Sequence, residues 1–248
     1  METLLSYKND EKLKEAFVKE IEKHREADAI LQGSYGKMDG EKWRGCAVGC
    51  SLRSLAILEG EELQIKYSDH SLYETKLGIP EWLARLEDTI FEGLPVEESK
   101  LWPEQFAKAV PVGVNLEPVK WKFCAFLMRE NIERVLALDI SEELKKQVVD
   151  AIRGVLTVHE NAIKTGIWDE SAARSAESAE SAAARSAESA ARSAAWSAAW
   201  SAASAAASAA ESAESAAASA AASAESAAVA YKKYAIELLR LLELEANK

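Results

Sequence analysis

From residue 169 to residue 248 the sequence has neither proline nor glycine; all five prolines and all eleven glycines come earlier. The strongest breakers of regular backbone are thus missing from the last third, which excludes a turn-rich globular fold there. Cysteine is scarce: Cys46, Cys50 and Cys124 are the whole supply. An odd, small number in a chain of 248 residues does not read as a disulfide framework and suits a reducing cytoplasm. No apolar run approaches the ~20 residues of a membrane span, and the charged opening METLLSYKNDEKLKEAF lacks the apolar stretch of a secretory signal. Basic charge is also in short supply. Residues 1–170 hold 23 Lys and Arg against 32 Asp and Glu, and the remainder 7 against 9, for a net charge of −11. Neither part carries the basic footprint needed to grip duplex nucleic acid or an anionic membrane surface, so neither is expected as a partner.

What is present falls into two regions with different grammar. Residues 1–168 have mixed composition; residues 169–248 are dominated by alanine and serine. Gly166 reads as a helix C-cap and Asp169 as the next N-cap. Beyond it, serines fall at 193, 197, 201, 204, 208, 212, 215, 219, 223 and 226, an eleven-residue repeat over three turns, ~3.67 residues per turn. That places them on one nearly straight stripe of an α-helix. The positions before the serines vary, with Arg174, Glu177, Arg192, Trp196, Trp200 and Glu211 among them. Alanine is the best helix former and serine costs little beside it, so residues 169–246 are expected to form one long helix, about 115 Å at ~1.5 Å per residue. Small side chains permit close approach of helix axes, and the expected partner is therefore the chain itself, as a homo-oligomer through this helix. A solvated helix without a partner, or a hairpin folded back on itself, are the competing readings; no turn residue marks a bend for the latter. The segment Val229 to Leu244 changes character, with Tyr231, Tyr234, Leu238, Leu241 and Leu242 at helical spacing as an apolar clasp.

The first 168 residues read as a helical head, which makes the expected class all-α. Helices are expected from Asn9 or Asp10 to about Leu31, over Gly45–Glu59, over Glu81–Phe91 after Pro80 with Leu83, Leu86 and Ile90 inward, around Trp102–Ala109, over Val119–Leu138, and from the N-cap Ser141 to Thr165. Strand signals are weak; at most a short pair fits between Leu63 and Tyr67.

Three clusters carry candidate chemistry. His24 and Asp28, at i and i+4, interrupt an apolar face with Gln32 one turn on, and a carboxylate beside an imidazole fixes its tautomer. In Gly45-Cys46-Ala47-Val48-Gly49-Cys50, both cysteines share a helical face with Gly49 and Arg53, and the glycines remove side chains where a helix or a ligand must come close. Asp69-His70-Ser71-Leu72-Tyr73-Glu74 adds a second histidine and an acid. Each also reads as a satisfied structural feature. The C-x3-C spacing is not that of a zinc knuckle, so no metal or other cofactor is expected. A cysteine nucleophile needs a histidine at a distance the sequence does not give. Glu87 and Asp88 in LARLED read as a solvated helix face, and His159 as helix surface.

The runs HREAD, LQG, GCAVGCSL, SLYE, KLGIP, LARLED, IFEGLP and WPE, in that order and followed by the Ser-Ala-Ala repeat, resemble a family of bacteriophage and gut-bacterial proteins. The resemblance covers most of residues 20–120 and the tail. It implies a phage or prophage accessory protein, cytoplasmic in a bacterial host, and by analogy with small oligomeric phage proteins an anti-defence role in which the head binds and sequesters a small polar, nucleotide-like ligand. The residues expected to line such a site are His24, Asp28, Gln32, Cys46, Cys50, Arg53, His70 and Glu74. Two other functions stay open: an interaction protein with a helical spacer and a docking stripe, and a hydrolase using His24, Asp28, His70 and Glu74.

Overall fold

The computed structural model describes residues 3–40, 42–60, 68–172, 174 and 209–247. The fold is all-α with one small strand pair. In chain order it comprises a 3-10 turn (Ser6–Asn9), α1 (Glu11–Glu26), β1 (Lys37–Asp39), β2 (Lys42–Arg44), α2 (Ala47–Glu59), a π-turn (Tyr73–Leu77), α3 (Glu81–Gly93), α4 (Val96–Ser99), α5 (Trp102–Ala109), α6 (Glu117–Ala137), α7 (Glu142–Thr165) and α8 (Ala209–Ala246). Among the described residues no helix is long and apolar enough to cross a membrane. Contacts divide the chain into two compact units, residues 1–119 with 223–248, and residues 120–222.

In the first unit, Asp10 caps α1 by accepting from the backbone N–H groups of Lys12 and Leu13, which satisfies two of the donors a helix start leaves open. The helix ends at Glu26, short of the expected Leu31. Asp28 adopts φ +51°, and the Ala29 N–H donates back to the His24 carbonyl at 2.9 Å. This closure is usually made with glycine; aspartate tolerates it because its short polar side chain costs least in the left-handed region. Asp28 therefore leaves the helix face that was to pair it with His24. The strand pair is antiparallel, with Met38 opposite Trp43. It lies at residues 37–44; the stretch Leu63–Tyr67, where a short pair was expected at most, lies outside the described residues. Asp39-Gly40, with Gly40 at φ +64°, is the hairpin signal that places it.

The core of this unit is built on Trp102, Tyr7, Tyr73, Phe17, Phe91, Ile21, Leu52, Leu77, Ile79 and Leu83, all fully or almost fully buried. Its polar atoms are satisfied by long-range bonds: Tyr7 Oη donates to the Ala107 carbonyl (2.7 Å) and Trp102 Nε1 to the Glu87 carbonyl (3.1 Å). The C-terminal clasp packs as its spacing predicts. Leu238, Leu241 and Leu242 of α8 are buried, each worth roughly 1.5–3 kcal/mol of apolar burial, and the Tyr231 ring sits over Gly93, where a Cβ would come within 2.3 Å of it.

In the second unit, α6 and α7 bury Ile132, Val149 and Ile152 together, flanked by Met128, Val135, Val148 and Leu156. Ser141 caps α7 through the Leu144 N–H, and Gly166 ends it at φ +69°. Asp169 accepts from the Ser171 and Ala172 N–H groups at 2.9 Å, opening the next helical turn as expected. His159 is half-buried, with its ring 5.0 Å from that of Trp168, so it is not plain surface. The stretch 175–208, with most of the early serine repeat and Trp196 and Trp200, lies outside the described residues.

Candidate functional site

The start of α2 is the platform. Cys46 occupies the N-cap position in extended backbone, and its N–H donates to the Ser34 carbonyl at 2.6 Å. That bond lays the 34–36 loop across the first helical turn. A Cβ on Gly49 would stand 1.5 Å from the Tyr35 carbonyl oxygen, and one on Gly45 would meet the Trp43 ring and that same oxygen. The element that must come close to the glycines is thus a loop of the same chain. Cys50, one turn on, is fully buried with Sγ 3.4 Å from the Gly45 carbonyl, and packs behind the platform.

Opposite lies α3. Asp88 and Glu92 are one turn apart and share a face. An oxygen of each, together with Cys46 Sγ, forms a group lying within 4.8 Å of one another. His70, 5% exposed, closes the back: its Nε2 is 3.3 Å from Asp88 Oδ2 and its Nδ1 3.1 Å from the Ser68 carbonyl. Tyr35 meets the His70 ring edge-on at 6.0 Å. Both Glu92 oxygens accept from the Gly33 N–H. Gln32 Nε2 donates to the Phe91 and Leu94 carbonyls at 2.7 and 2.8 Å, tying the 32–36 loop to the end of α3. Asp88 Oδ1 is buried with no hydrogen-bond partner. Burial pushes the Cys46 thiol well above its ordinary range, with Asp88 and Glu92 adding to the effect. That is the opposite of what a nucleophilic cysteine requires at neutral pH.

Behind Asp88, Glu87 is fully buried and accepts a hydrogen bond from Tyr73 Oη at 2.7 Å. Burial raises its carboxyl to about 8. The expectation of a solvated LARLED face is therefore wrong: the buried stripe runs Leu83, Ala84, Glu87, Ile90, Phe91, whereas Leu86 is only half-buried. Tyr73 supplies the donor that lets an acid take the inward position.

The residues expected from sequence do not share one pocket. Cys46 and His70 stand at this centre, Gln32 braces its rim and Cys50 lies beneath. His24 is elsewhere, its ring 5.4 Å from that of Trp43 and its Nε2 buried without a partner. Burial lowers it to about 4, and the nearby charge of Arg53 acts in the same direction. Asp28 is exposed, 3.6 Å from Lys100 Nζ and 3.9 Å from the Arg44 guanidinium. Glu74 accepts from the Glu81 N–H at 3.0 Å, capping α3 where Pro80 has no side-chain acceptor to offer. Asp88, Glu92 and Tyr35 were missed; the signal available was two acids at i and i+4 in LEDTIFE. No protein-family model, no curated protein and no solved structure matches this chain.

Proposed function

We propose that the chain is a phage-type accessory binding protein that oligomerises through its alanine- and serine-rich segment and sequesters a small polar ligand in its head. The observation that carries the reading is Asp88 Oδ1, buried without a donor amid three other polar side chains, Cys46, His70 and Glu92. An unsatisfied buried acceptor costs about 1–3 kcal/mol, a cost that a bound ligand removes. With two carboxylates lining the centre, a phosphate-bearing ligand requires a cation between, so the ligand is cationic or reaches the site through a cation. Sequestration is favoured over turnover because the thiol is held protonated and His70 already faces two acceptors, leaving it no free nitrogen to act as a base.

The test is a thermal-shift screen of the full chain and of Asp88→Ala against divalent cations, polyamines, nucleosides and cyclic nucleotides. A ligand present at 100 times its Kd stabilises by about 2.7 kcal/mol, a rise in Tm of roughly 5–10 °C. At least one class is expected to stabilise the parent protein and not the variant. A flat response across all classes refutes the reading. Light scattering is expected to return a multiple of the 27.0 kDa chain mass; a single-chain mass refutes the oligomer.

A further inference from the structure

We propose that the centre is a transition-metal site in which Cys46, Asp88 and Glu92 ligate a divalent ion of the zinc and cobalt class, with His70 as the residue that positions Asp88. This rests on reading the centre as a ligand-binding place, and it names the ligand.

The donors are a thiol at the start of α2 and two carboxylates one turn apart on α3, and the fold brings these two elements together. A four-coordinate ion with bonds of ~2.0–2.3 Å sets its donors ~3.3–3.7 Å apart. The group lies within 4.8 Å without an ion, so side-chain adjustments of about an ångström complete the geometry. The sulfur decides the class: calcium and magnesium take all-oxygen shells, whereas a thiolate beside carboxylates suits zinc, cobalt or ferrous iron.

His70 supplies the second argument. Both ring nitrogens face oxygen acceptors, Ser68 O on one side and Asp88 Oδ2 on the other. The ring's contact with Oδ2 fixes the Asp88 carboxylate, whose other oxygen, Oδ1, is buried without a partner, and one oxygen of this carboxylate stands in the group with Cys46 Sγ. Binding of the ion displaces the Cys46 thiol proton to solvent, because the ligand is the thiolate. The His70 contact meets Oδ2 alone and leaves Oδ1 without a partner. Glu92 is exposed and Cys46 buried, so the ion has a route in from the rim to the floor. Three protein donors leave at least one coordination position for solvent or for a second ligand.

The experiment is titration of the chelator-treated full chain with cobalt(II), followed by absorbance. Expected are a near-ultraviolet thiolate-to-cobalt charge-transfer band and strong visible bands of a four-coordinate ion, saturating at one ion per chain and displaced by zinc. Cys46→Ser loses the charge-transfer band. Asp88→Asn and Glu92→Gln each weaken binding by about tenfold or more, and His70→Gln weakens it ~10–100-fold with the charge-transfer band retained at saturation. Cys124→Ser behaves as the parent. Circular dichroism monitors each fold; because Glu92 is exposed, Glu92→Gln keeps the test decisive if a buried variant unfolds. Absence of the band in the parent, or a band that survives Cys46→Ser, overturns the assignment. If cobalt fails while the thermal screen finds another ligand that depends on Asp88, the metal falls and the binding reading stands; if neither binds, both fall.

Discussion

Substituting Gly49 by alanine tests whether the loop over α2 is as tightly held as its geometry implies. The added methyl would lie 1.5 Å from the Tyr35 carbonyl oxygen and 2.6 Å from its carbon, whereas ordinary contact begins near 3.4 Å. The obstacle is backbone, so no side chain can swing aside, and the loop must retreat by roughly 2 Å, a displacement of the overpacking kind that costs about 1–3 kcal/mol. That retreat also breaks the 2.6 Å bond from the Cys46 N–H to Ser34, leaving a buried donor at about 1–3 kcal/mol. Alanine's better helix propensity returns about 1 kcal/mol. The net expectation is a loss of about 1–5 kcal/mol, or roughly 3–15 °C in Tm, read by circular dichroism during heating. Gly154→Ala is the internal control. It sits exposed in α7 with nothing within 4 Å of the new Cβ, and is expected to stabilise by roughly 0.5–1 kcal/mol. If Gly49→Ala unfolds at or above the parent's temperature, the loop does not lie against the Gly49 backbone, and the placing of Tyr35 against the His70 ring fails too.

Two buried titratable groups give pH dependences of opposite sign. Glu87, raised from 4.5 to about 8 by burial, contributes stability that is complete below 4.5 and is lost as pH rises through 8; at ~1.36 kcal/mol per unit this is a few kcal/mol. Glu87→Gln should flatten that decline in chemical-denaturation midpoints, and an unchanged slope refutes it. His24, lowered from 6.5 to about 4, contributes stability present above 6.5 and lost as pH falls through 4, up to about 3 kcal/mol. His24→Leu should remove the acid-side loss, and a variant with the parent's midpoint profile between pH 4 and 6.5 refutes it. Asp10→Ala removes the α1 cap and should cost about 0.5–2 kcal/mol in denaturant unfolding; no loss would mean that the cap seen at Lys12 and Leu13 does not hold in solution.

Helices with strong periodic faces and explicit stops were legible. Pro80, Trp102-Pro103, Ser141 and Gly166 mark their helices within a residue or two, because each acts on its own local backbone. The all-α class followed from them. What could not be read was set by tertiary partners. The end of α1 depends on Asp28 taking a conformation that many residues avoid, and nothing in its flanking sequence demands it. The hairpin at residues 37–44 is three residues a side, too short for alternation to stand out, although Asp39-Gly40 announced the turn.

The acids of α3 show why the site itself was harder to find than the fold. Hydrophobic periodicity assigns the inward stripe to Leu83, Leu86 and Ile90, and on that basis Glu87 and Asp88 face water. The stripe is instead rotated by one residue, and two separated parts of the chain account for the rotation. Tyr73 donates to Glu87 from the π-turn, and Trp102 of α5 is anchored to the Glu87 carbonyl. With Glu87 turned inward, Asp88 is carried to the flank where Cys46 and His70 stand, and Glu92 follows one turn later. The inward acid therefore sets the angular position of its neighbour, and the apparent misplacement of one carboxylate is what delivers the other two. A polar group on a buried stripe is costly without a donor; Tyr73 meets that need for Glu87, and nothing among the described residues meets it for Asp88 Oδ1. That asymmetry between adjacent acids, one satisfied and one not, is why the proposed ligand site centres on Asp88 and not on Glu87.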